Sequence, residues 1–290
     1  MNIASGTVRV NHLCIHYLSA GPPAGSNQDS TLVLLHGGGE SAWSWRWVMP
    51  RLGERFRVLA PDLPGSGKSD LVAGKYVAGW YGSFVADFLD ALQIERAVVI
   101  GHSLGGLAAL QMALGDSGGR ARGLILVSGA GLGRELNPAL TLMTLPGLGD
   151  WAALFGITPP GQLQRLGWRA SGCFAHPAQV PQEWYLDQFR CGMRPGLLAD
   201  QLAVSRSLID HGGQSEVVLD RLADLTVPTL IVWGDSDQII PITHAHEAAR
   251  RVRHGRLAII PDCGHMPQVE RPVLFLQALD PFLTDLAVVS

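Results

Sequence analysis

The chain has 290 residues, of which 47% are hydrophobic, and its formal net charge is -3 at pH 7. This is enough apolar material for one large core, and the interspersed charges exclude a basic surface for nucleic acid or anionic lipid. The four cysteines lack the close paired spacings of zinc or redox sites, which favours free thiols and a cytoplasmic location. No stretch approaches the roughly 18 apolar residues of a membrane span, so we expect neither anchoring nor export.

Short apolar runs rich in Val, Ile and Leu predict buried strands of a mostly parallel sheet. The runs lie at residues 31–37, 56–62, 97–103, 123–129, 229–235 and 257–265. Ahead of them, residues 7–21 alternate apolar and polar side chains, which predicts an antiparallel hairpin that turns at Asn11 and His12. Segments of helical spacing separate the runs, so the expected fold class is α/β, with helices flanking the sheet.

The strand pattern is interrupted between residues 134 and 224, where no convincing buried strand occurs. The segment is rich in Trp, Pro, Gly and Leu, and it then takes helical spacing at residues 181–193 and 197–209. We therefore predict a helical cap, residues 134–224, inserted between the sixth and seventh core strands. Residues 1–133 and 225–290 would form the core on which this cap packs.

One loop, DLPGSGKSD at residues 62–70, is similar to half of a phosphate-binding loop. Gly67, Lys68 and Ser69 match the end of the pattern G-x-x-x-x-G-K-[ST], in which backbone amides and the lysine hold phosphates. The first glycine of that pattern would be residue 62, which is an aspartate. Its charge and its side chain would oppose a bound triphosphate, so we do not expect a nucleotide site.

A G-x-S-x-G motif, formed by Gly101, Ser103 and Gly105, lies directly after a predicted strand and directly before a helical segment. This context is typical of the nucleophile elbow, a turn so tight that the residues two before and two after the serine must be small. The turn holds the serine hydroxyl above the sheet. Ser103 is therefore the predicted nucleophile, and the alternative is a glycine-rich turn with an unreactive serine.

A serine hydroxyl needs a base in hydrogen-bond contact and a third group that orients the base. In elbow hydrolases the chain order is serine, acid, histidine. Asp235 and Asp237 both follow the fifth run, and we favour Asp237 because Asp235 is better placed to bond local turn amides. The predicted base is His265, after the last run. His36 and His102 lie near the same strand ends, and we expect structural roles for them.

Attack on a carbonyl creates an oxyanion, which preorganised N–H groups stabilise. One predicted donor is the amide of Leu104, the residue after the nucleophile. The second is expected from the HGGGES segment at residues 36–41, here called the oxyanion loop, whose glycines let the backbone approach a substrate. Gly38 is favoured over Gly39 as this donor.

Five segments resemble the α/β-hydrolase superfamily, in its order and over nearly the whole chain: LLHGGGESAWSW, DLPGSGKSD, VVIGHSLGG, VWGDSDQIIP and CGHMPQVERP. The resemblance implies an α/β-hydrolase fold with a Ser-His-Asp triad, and it implies that loop 62–70 supports the shelf beside the oxyanion loop. Haloalkane dehalogenases and epoxide hydrolases of this build carry aspartate at the elbow, so Ser103 favours attack on a carbonyl carbon.

Within the superfamily, the chain resembles carboxylesterases and the carbon–carbon bond hydrolases that split meta-cleavage products. It departs from the second group because His102 stands where those enzymes usually have Asn, and Met266 where they have Trp. They also use a cap arginine for the acidic substrate, and Arg190 is the candidate for this role, with an arginine on a helix surface as the favoured alternative. We therefore expect a carboxylic ester hydrolase, with carbon–carbon hydrolysis as the alternative and a receptor-like binding protein with little turnover as the second alternative.

Aromatic side chains are frequent in the predicted cap and after the oxyanion loop, which predicts an apolar pocket for a small to medium ester. The alternative is that they only pack the cap on the core. The tentative pocket residues are Gly39, Trp43, His102, Trp151, Trp184, Arg190 and Met266. We expect a small-molecule substrate, no metal or organic cofactor, no nucleic-acid or membrane partner, and a monomer or homodimer.

Overall fold

A mostly parallel sheet forms the centre of the protein. The computed structural model describes residues 2–22, 31–72, 76, 79–115 and 119–288. In these ranges the strands are β1 (Ala4–Val10), β2 (Leu13–Ala20), β3 (Thr31–Leu35), β4 (Arg57–Pro61), β5 (Ala97–His102), β6 (Ala121–Val127), β7 (Ile209–Asp210), β8 (Gly213–Gln214), β9 (Thr229–Gly234) and β10 (Gly255–Ile260). Eight of them form one sheet in the order β1-β2-β4-β3-β5-β6-β9-β10, and β7 pairs with β8 separately.

Strand direction divides the sheet into an antiparallel edge and a parallel remainder. β2 is antiparallel to β1 and β4, whereas the other neighbours in the eight-stranded sheet are parallel. The predicted hairpin is confirmed, and Asn11 takes the positive φ of 53° at its turn. The predicted run at 257–265 is too long, because β10 ends at Ile260 and Asp262 reverses the chain with a φ of 54°.

The helices are α1 (Met49–Leu52), α2 (Trp80–Ala91), α3 (Leu104–Gly115), α4 (Pro138–Thr144), α5 (Leu148–Gly156), α6 (Pro159–Cys173), α7 (Gln182–Gly192), α8 (Leu197–Leu208), α9 (Thr243–Arg251), α10 (Pro267–Glu270) and α11 (Pro272–Val288). Two hydrophobic cores lie on opposite faces of the sheet, because alternate strand residues point to opposite sides. Val33 and Leu35 of β3 join the core that contains α2, α3 and α9. Leu32 and Leu34 join the core that contains α1 and α11.

Five helices, α4 to α8, lie in the chain between the neighbouring strands β6 and β9. They are called the cap helices below, and we propose that they form a cap within the predicted limits 134–224. Arg194, which follows α7, donates to the carbonyl oxygens of Gly67 and Ser69 at 2.6 and 2.7 Å, so this segment is tied to the loop after β4. No helix in the described ranges combines the length and the apolar character needed to cross a bilayer.

The loop at residues 62–70 is organised around a carboxylate instead of a phosphate. Asp62 is 1% exposed, and its carboxylate accepts hydrogen bonds from the amides of Ala42 and Lys68, each at 2.7 Å. A third contact joins it to Nδ1 of His16 at 2.7 Å. The Lys68 residue is exposed to solvent. This side of the loop is therefore filled by the protein's own carboxylate, as the aspartate at position 62 indicates.

Candidate active site

Ser103 lies at the sharp turn between β5 and α3, with a φ of 51° that non-glycine residues rarely adopt. The turn is closely packed on both sides. A Cβ atom on Gly101 would lie 2.2 Å from the carbonyl oxygen of Gly105, and one on Gly105 would lie 2.3 Å from that of Leu35. Only glycine fits at these positions, so the local geometry is that of a nucleophile elbow.

His265 and Asp237 are joined by a buried hydrogen bond. Nδ1 of His265 lies 2.8 Å from Oδ2 of Asp237, and the side chains are 5% and 0% exposed. Because a carboxylate only accepts, Nδ1 carries the proton and Nε2 is left as an acceptor. The other carboxylate oxygen, Oδ1, accepts from the amides of Ile239 and Ile240 at 2.8 and 3.0 Å. The histidine is thereby fixed in the orientation and tautomer that a general base requires.

Asp235, the other candidate acid, serves the turn after β9. Its Oδ1 accepts from the hydroxyl of Ser236 at 2.8 Å and from the amide of Cys263 at 3.4 Å. It therefore bonds local backbone and side-chain groups, as its early position after the strand suggests. The contact with the imidazole of His265 is made by Asp237.

Ser103 and His265 line one cavity together with Gly38 and Leu104. Within the described part of the chain, the Ser103 hydroxyl makes no hydrogen bond, either to His265 or to another group. Such contacts often tighten only when a substrate binds. Leu104 is the first residue of α3, so its amide has no acceptor within the helix and is free to serve a ligand.

Within the oxyanion loop, Gly38 borders open space. A Cβ atom on Gly38 would meet nothing within 4 Å, and Gly39 takes a φ of +71° that favours glycine. Gly37, in contrast, packs against a side chain, because a Cβ there would lie 2.7 Å from Nδ1 of His102. The amide of Glu40 donates to the carbonyl of Gly37 at 3.2 Å and closes the turn.

His36 and His102 both make buried backbone contacts. His36 Nε2 accepts from the amide of Leu63 at 2.9 Å, so its Nδ1 is the protonated nitrogen and donates to the carbonyl of Gly37 at 2.8 Å. His102 Nε2 donates to the carbonyl of His265 at 2.9 Å. Burial lowers the pKa of both side chains, and for His102 the nearby His265 adds to this effect. Both are therefore neutral groups that hold neighbouring loops in place.

The cavity has a volume of about 530 Å³, and one part of it lies under the cap helices. Apolar side chains from α4, α5 and α8 line that part: Leu140, Met143, Trp151, Phe155, Leu198 and Leu202. Trp151 and Phe155 stack with ring centroids 5.0 Å apart. A cavity of this size and character suits a ligand with a sizeable hydrocarbon portion.

Four of the tentative pocket residues, Gly39, His102, Trp151 and Met266, line the cavity, and three do not. Trp43 lies outside it, with the guanidinium of Arg46 5.0 Å from its ring. Trp184 is buried against Phe174 in a small separate cluster. Arg190 is exposed on α7. The aromatic content of the cap is shared between the cavity and this packing, which sequence composition alone does not separate.

The structure adds two arginines of α6 that sequence reasoning missed. Arg165 and Arg169 are four residues apart, so they share one face of the helix, and both line the cavity. Arg165 donates to Oε1 of Gln162 at 3.0 Å and to the carbonyl of Gln188. Burial lowers its pKa to about 10. The four-residue spacing of the two arginines is visible in the sequence QRLGWRA. It indicates a site only once the orientation of α6 relative to the cavity is known.

Arg169 forms an ion pair with Glu40 of the oxyanion loop. Glu40 is 2% exposed. Burial raises the pKa of Glu40 to about 7, although the charge of Arg169 acts in the opposite direction. The guanidinium of Arg169 and the carboxyl group of Glu40 thus lie together in the cavity wall beside the predicted oxyanion donor. In the ranges that the structure describes, no group of three or more His, Cys, Asp and Glu side chains is arranged to hold a metal ion.

Comparison with known proteins gives the class that this fold and site define. The alpha/beta hydrolase family matches residues 32–278. An uncharacterized protein of Mycobacterium tuberculosis is 32% identical over 263 residues, which cover 87% of this chain and 74% of that protein. The 2-hydroxymuconate semialdehyde hydrolase of a Pseudomonas species is 29% identical over 292 residues, covering 98% of this chain and 93% of the relative.

Among solved structures, a membrane phospholipase A described as a bacterial virulence factor superposes with a TM-score of 0.81 at 25% identity, covering 98% of this chain and 87% of that one. These findings confirm the resemblance seen in the sequence. This chain belongs to the alpha/beta hydrolase family, and it is a hydrolase. Members of this family act on small-molecule substrates.

Proposed function

We propose that this protein is a serine hydrolase that cleaves carboxylic esters of small to medium, apolar character through an acyl-enzyme. The observation that carries the proposal is the shared cavity, in which the elbow serine and the Asp237-bound His265 open into a largely apolar space. No step requires a metal or an organic cofactor. Leu104 and two glycines of the oxyanion loop, Gly38 and Gly39, line the same cavity.

In the proposed mechanism, His265 Nε2 takes the proton of Ser103 as Oγ attacks the ester carbonyl. Asp237 holds the imidazole tautomer and stabilises the imidazolium that forms. The amides of Leu104 and Gly38 stabilise the oxyanion, and each such donor is worth roughly a hundredfold to a thousandfold in related hydrolases. His265 then protonates the departing alcohol, and a water molecule releases the acid by the same route.

The apolar wall under the cap helices is expected to bind the hydrocarbon part of the substrate. Burial of such surface contributes about 25 cal/mol per Å², so this wall would supply most of the ground-state affinity. The carbonyl would lie at the other end of the cavity, between Ser103 and the oxyanion loop.

Hydrolysis of p-nitrophenyl acetate, butyrate and octanoate tests the proposal. We expect Ser103→Ala to lose essentially all turnover while its far-UV circular dichroism and melting temperature stay near those of the wild type. The matched control is Ser83→Ala on α2, an exposed residue whose hydroxyl donates to the carbonyl of Gly79. Full activity in the Ser103→Ala variant would rule the assignment out.

The second candidate is a carbon–carbon bond hydrolase for an acidic substrate of the meta-cleavage type. The observation that favours it is Arg165 in the cavity wall, whose guanidinium contacts an amide and a carbonyl but, within the described part of the chain, no carboxylate. In this second candidate, Arg165 takes the role of the cap arginine that was expected of Arg190, which does not line the cavity. A substrate carboxylate would find a charge partner there.

A chromogenic meta-cleavage product, assayed beside the three esters, separates the candidates. Faster loss of the dienol colour than of the esters, together with a raised KM for that substrate in Arg165→Gln, would support the second candidate. Faster ester turnover, with little change in Arg165→Gln, supports the first. Saturable binding of either ligand without turnover would instead indicate a receptor-like protein.

A further inference from the structure

The oxyanion loop needs support that its own sequence does not supply. Three of its six residues are consecutive glycines, which lose the most backbone entropy when one conformation is fixed. Hydrogen-bond donors for an oxyanion work only when they are held in place before the reaction. The neighbouring contacts of the loop therefore decide how well its amides are placed.

At its Gly39–Ser41 end, the loop is contacted by two of the cap helices, α6 and α7. Nη2 of Arg169 pairs with Oε1 of Glu40, and the same guanidinium lies against Gly39, where an added Cβ would be 2.5 Å from Nη1. At the last residue of the loop, the hydroxyl of Ser41 donates to Oδ2 of Asp187 on α7 at 2.9 Å. The pairing carboxylate follows directly after the glycines, so its position restrains them.

Helix α6 also contacts the loop that carries the predicted base. The carbonyl of Cys173, its last residue, accepts from the amide of His265 at 2.8 Å. A Cβ on Gly264 would lie 2.6 Å from that same carbonyl oxygen, so the two backbones are closely packed. One helix thus bridges the oxyanion loop, through Arg169, and the histidine loop, through its C-terminus.

We propose that Arg169 and Glu40 form a positioning pair that holds the oxyanion loop in its reactive conformation. The pair acts through the backbone of Gly38 and Gly39 and does not bind the substrate itself. This inference rests on the proposed serine mechanism, and it goes further by making the oxyanion site depend on a side chain of α6. Breaking the pair should therefore lower the rate of attack by Ser103 more than the affinity for substrate.

The test uses an uncharged fluorophosphonate, which reacts with an activated serine whatever the natural substrate is. Ser103 Oγ would attack phosphorus, fluoride would leave, and the serine proton would pass to His265, with the developing charge on the phosphonyl oxygen stabilised by the oxyanion donors. The second-order labelling rate is measured by intact mass for the wild type, Arg169→Gln, Arg169→Lys and Glu40→Gln. Arg206→Gln is the matched control, because it removes the cap guanidinium paired with Asp150, and Arg206 does not line the cavity.

We expect Arg169→Gln and Glu40→Gln to slow labelling about tenfold to a hundredfold, as displacement of one donor by about 1 Å would do. For p-nitrophenyl butyrate, kcat should fall by a similar factor while KM changes less than about twofold. Arg169→Lys should recover part of the rate because it keeps the charge, and Arg206→Gln should match the wild type. If Arg169→Gln does not fold, the milder Glu40→Gln and Arg169→Lys variants still decide the question.

Equal labelling rates in the wild type and in folded Glu40→Gln and Arg169→Gln would overturn the positioning pair while leaving the serine mechanism intact. A raised KM with unchanged kcat would also overturn it, since that result assigns Arg169 to substrate binding. Absence of labelling in the wild type, in contrast, would contradict the proposed function itself.

Discussion

Asp62 is the residue that decides whether the loop at 62–70 binds phosphate or is organised by its own carboxylate. Although burial opposes its ionisation, the hydrogen bond from His16 and those from the amides of Lys68 and Ala42 hold the pKa of Asp62 below its usual value. The carboxylate is therefore ionised in the folded protein and organises the loop. A phosphate-binding loop would leave this volume for its ligand.

Asp62→Ala should destabilise the protein by about 3 kcal/mol or more, because it leaves buried donors without an acceptor. Urea unfolding followed by tryptophan fluorescence measures this free energy. Asp70→Ala is the control, since Asp70 is exposed and its carboxylate accepts, among the described residues, one backbone hydrogen bond, from the amide of Cys14. We expect the control to cost about 1 kcal/mol. Equal losses in the two variants would contradict the central role of Asp62.

The contribution of Asp62 should also depend on pH in a definite direction. Its pKa is lower in the folded protein than the ordinary value of 3.8. The stabilisation is therefore complete above that value and is lost as the pH falls through the lower folded pKa. The difference in unfolding free energy between the wild type and Asp62→Ala should shrink below about pH 4. A difference that stays constant down to pH 2 would exclude this linkage.

At the scale of elements, the elbow between β5 and α3 is the feature that places Ser103, the proposed nucleophile. Its geometry depends on residues close together in sequence, and the required glycines are visible in the motif, so it could be predicted. The succession of strands along the chain could be predicted for the same reason, since each run is locally apolar. The role of α6 could not be predicted, because Arg169 reaches Glu40 across 129 positions of chain.

The elbow makes a prediction about two glycines of one helix. Gly105→Ala places a Cβ 2.3 Å from the backbone of β3, which cannot move without disturbing the sheet, so we expect a loss of about 2 to 3 kcal/mol and a large fall in kcat. Gly115→Ala, at the exposed end of the same helix, meets nothing within 4 Å. It should be neutral or stabilising by up to about 1 kcal/mol. Melting temperatures and ester assays of both variants check this contrast, and a stable, active Gly105→Ala protein would refute it.

At the scale of the whole molecule, the cavity is formed between the sheet edge and the cap helices. The sequence predicts an apolar pocket, and Trp151 and Met266, two of its tentative pocket residues, line the cavity. Trp43, Trp184 and Arg190 were also expected in the pocket but do not line it. Which side of a helix or loop faces the cavity depends on tertiary packing, which the sequence pattern does not give. Residues fixed by local motifs are thus predictable, whereas those fixed by the docking of the cap are not.

The shape of the cavity predicts which substitutions alter chain-length preference. Ala152→Phe on α5 fills part of the apolar wall, and we expect kcat/KM for p-nitrophenyl octanoate to fall about tenfold or more while acetate is spared. Leu154→Phe is the control on the same helix, because Leu154 is 70% exposed and faces away from the cavity. It should leave both esters unchanged. A parallel loss of acetate and octanoate hydrolysis in Ala152→Phe would argue against an acyl site under the cap helices.

The central claim is that Ser103 forms an acyl-enzyme with the help of His265. Acid quenching of the protein during turnover of p-nitrophenyl butyrate, followed by peptide mass spectrometry, tests it most directly. We expect a butyryl group on the peptide that contains Ser103, and we expect this adduct to be lost in His265→Gln. A butyryl group on another residue, or an undiminished rate of adduct formation in His265→Gln, would contradict it.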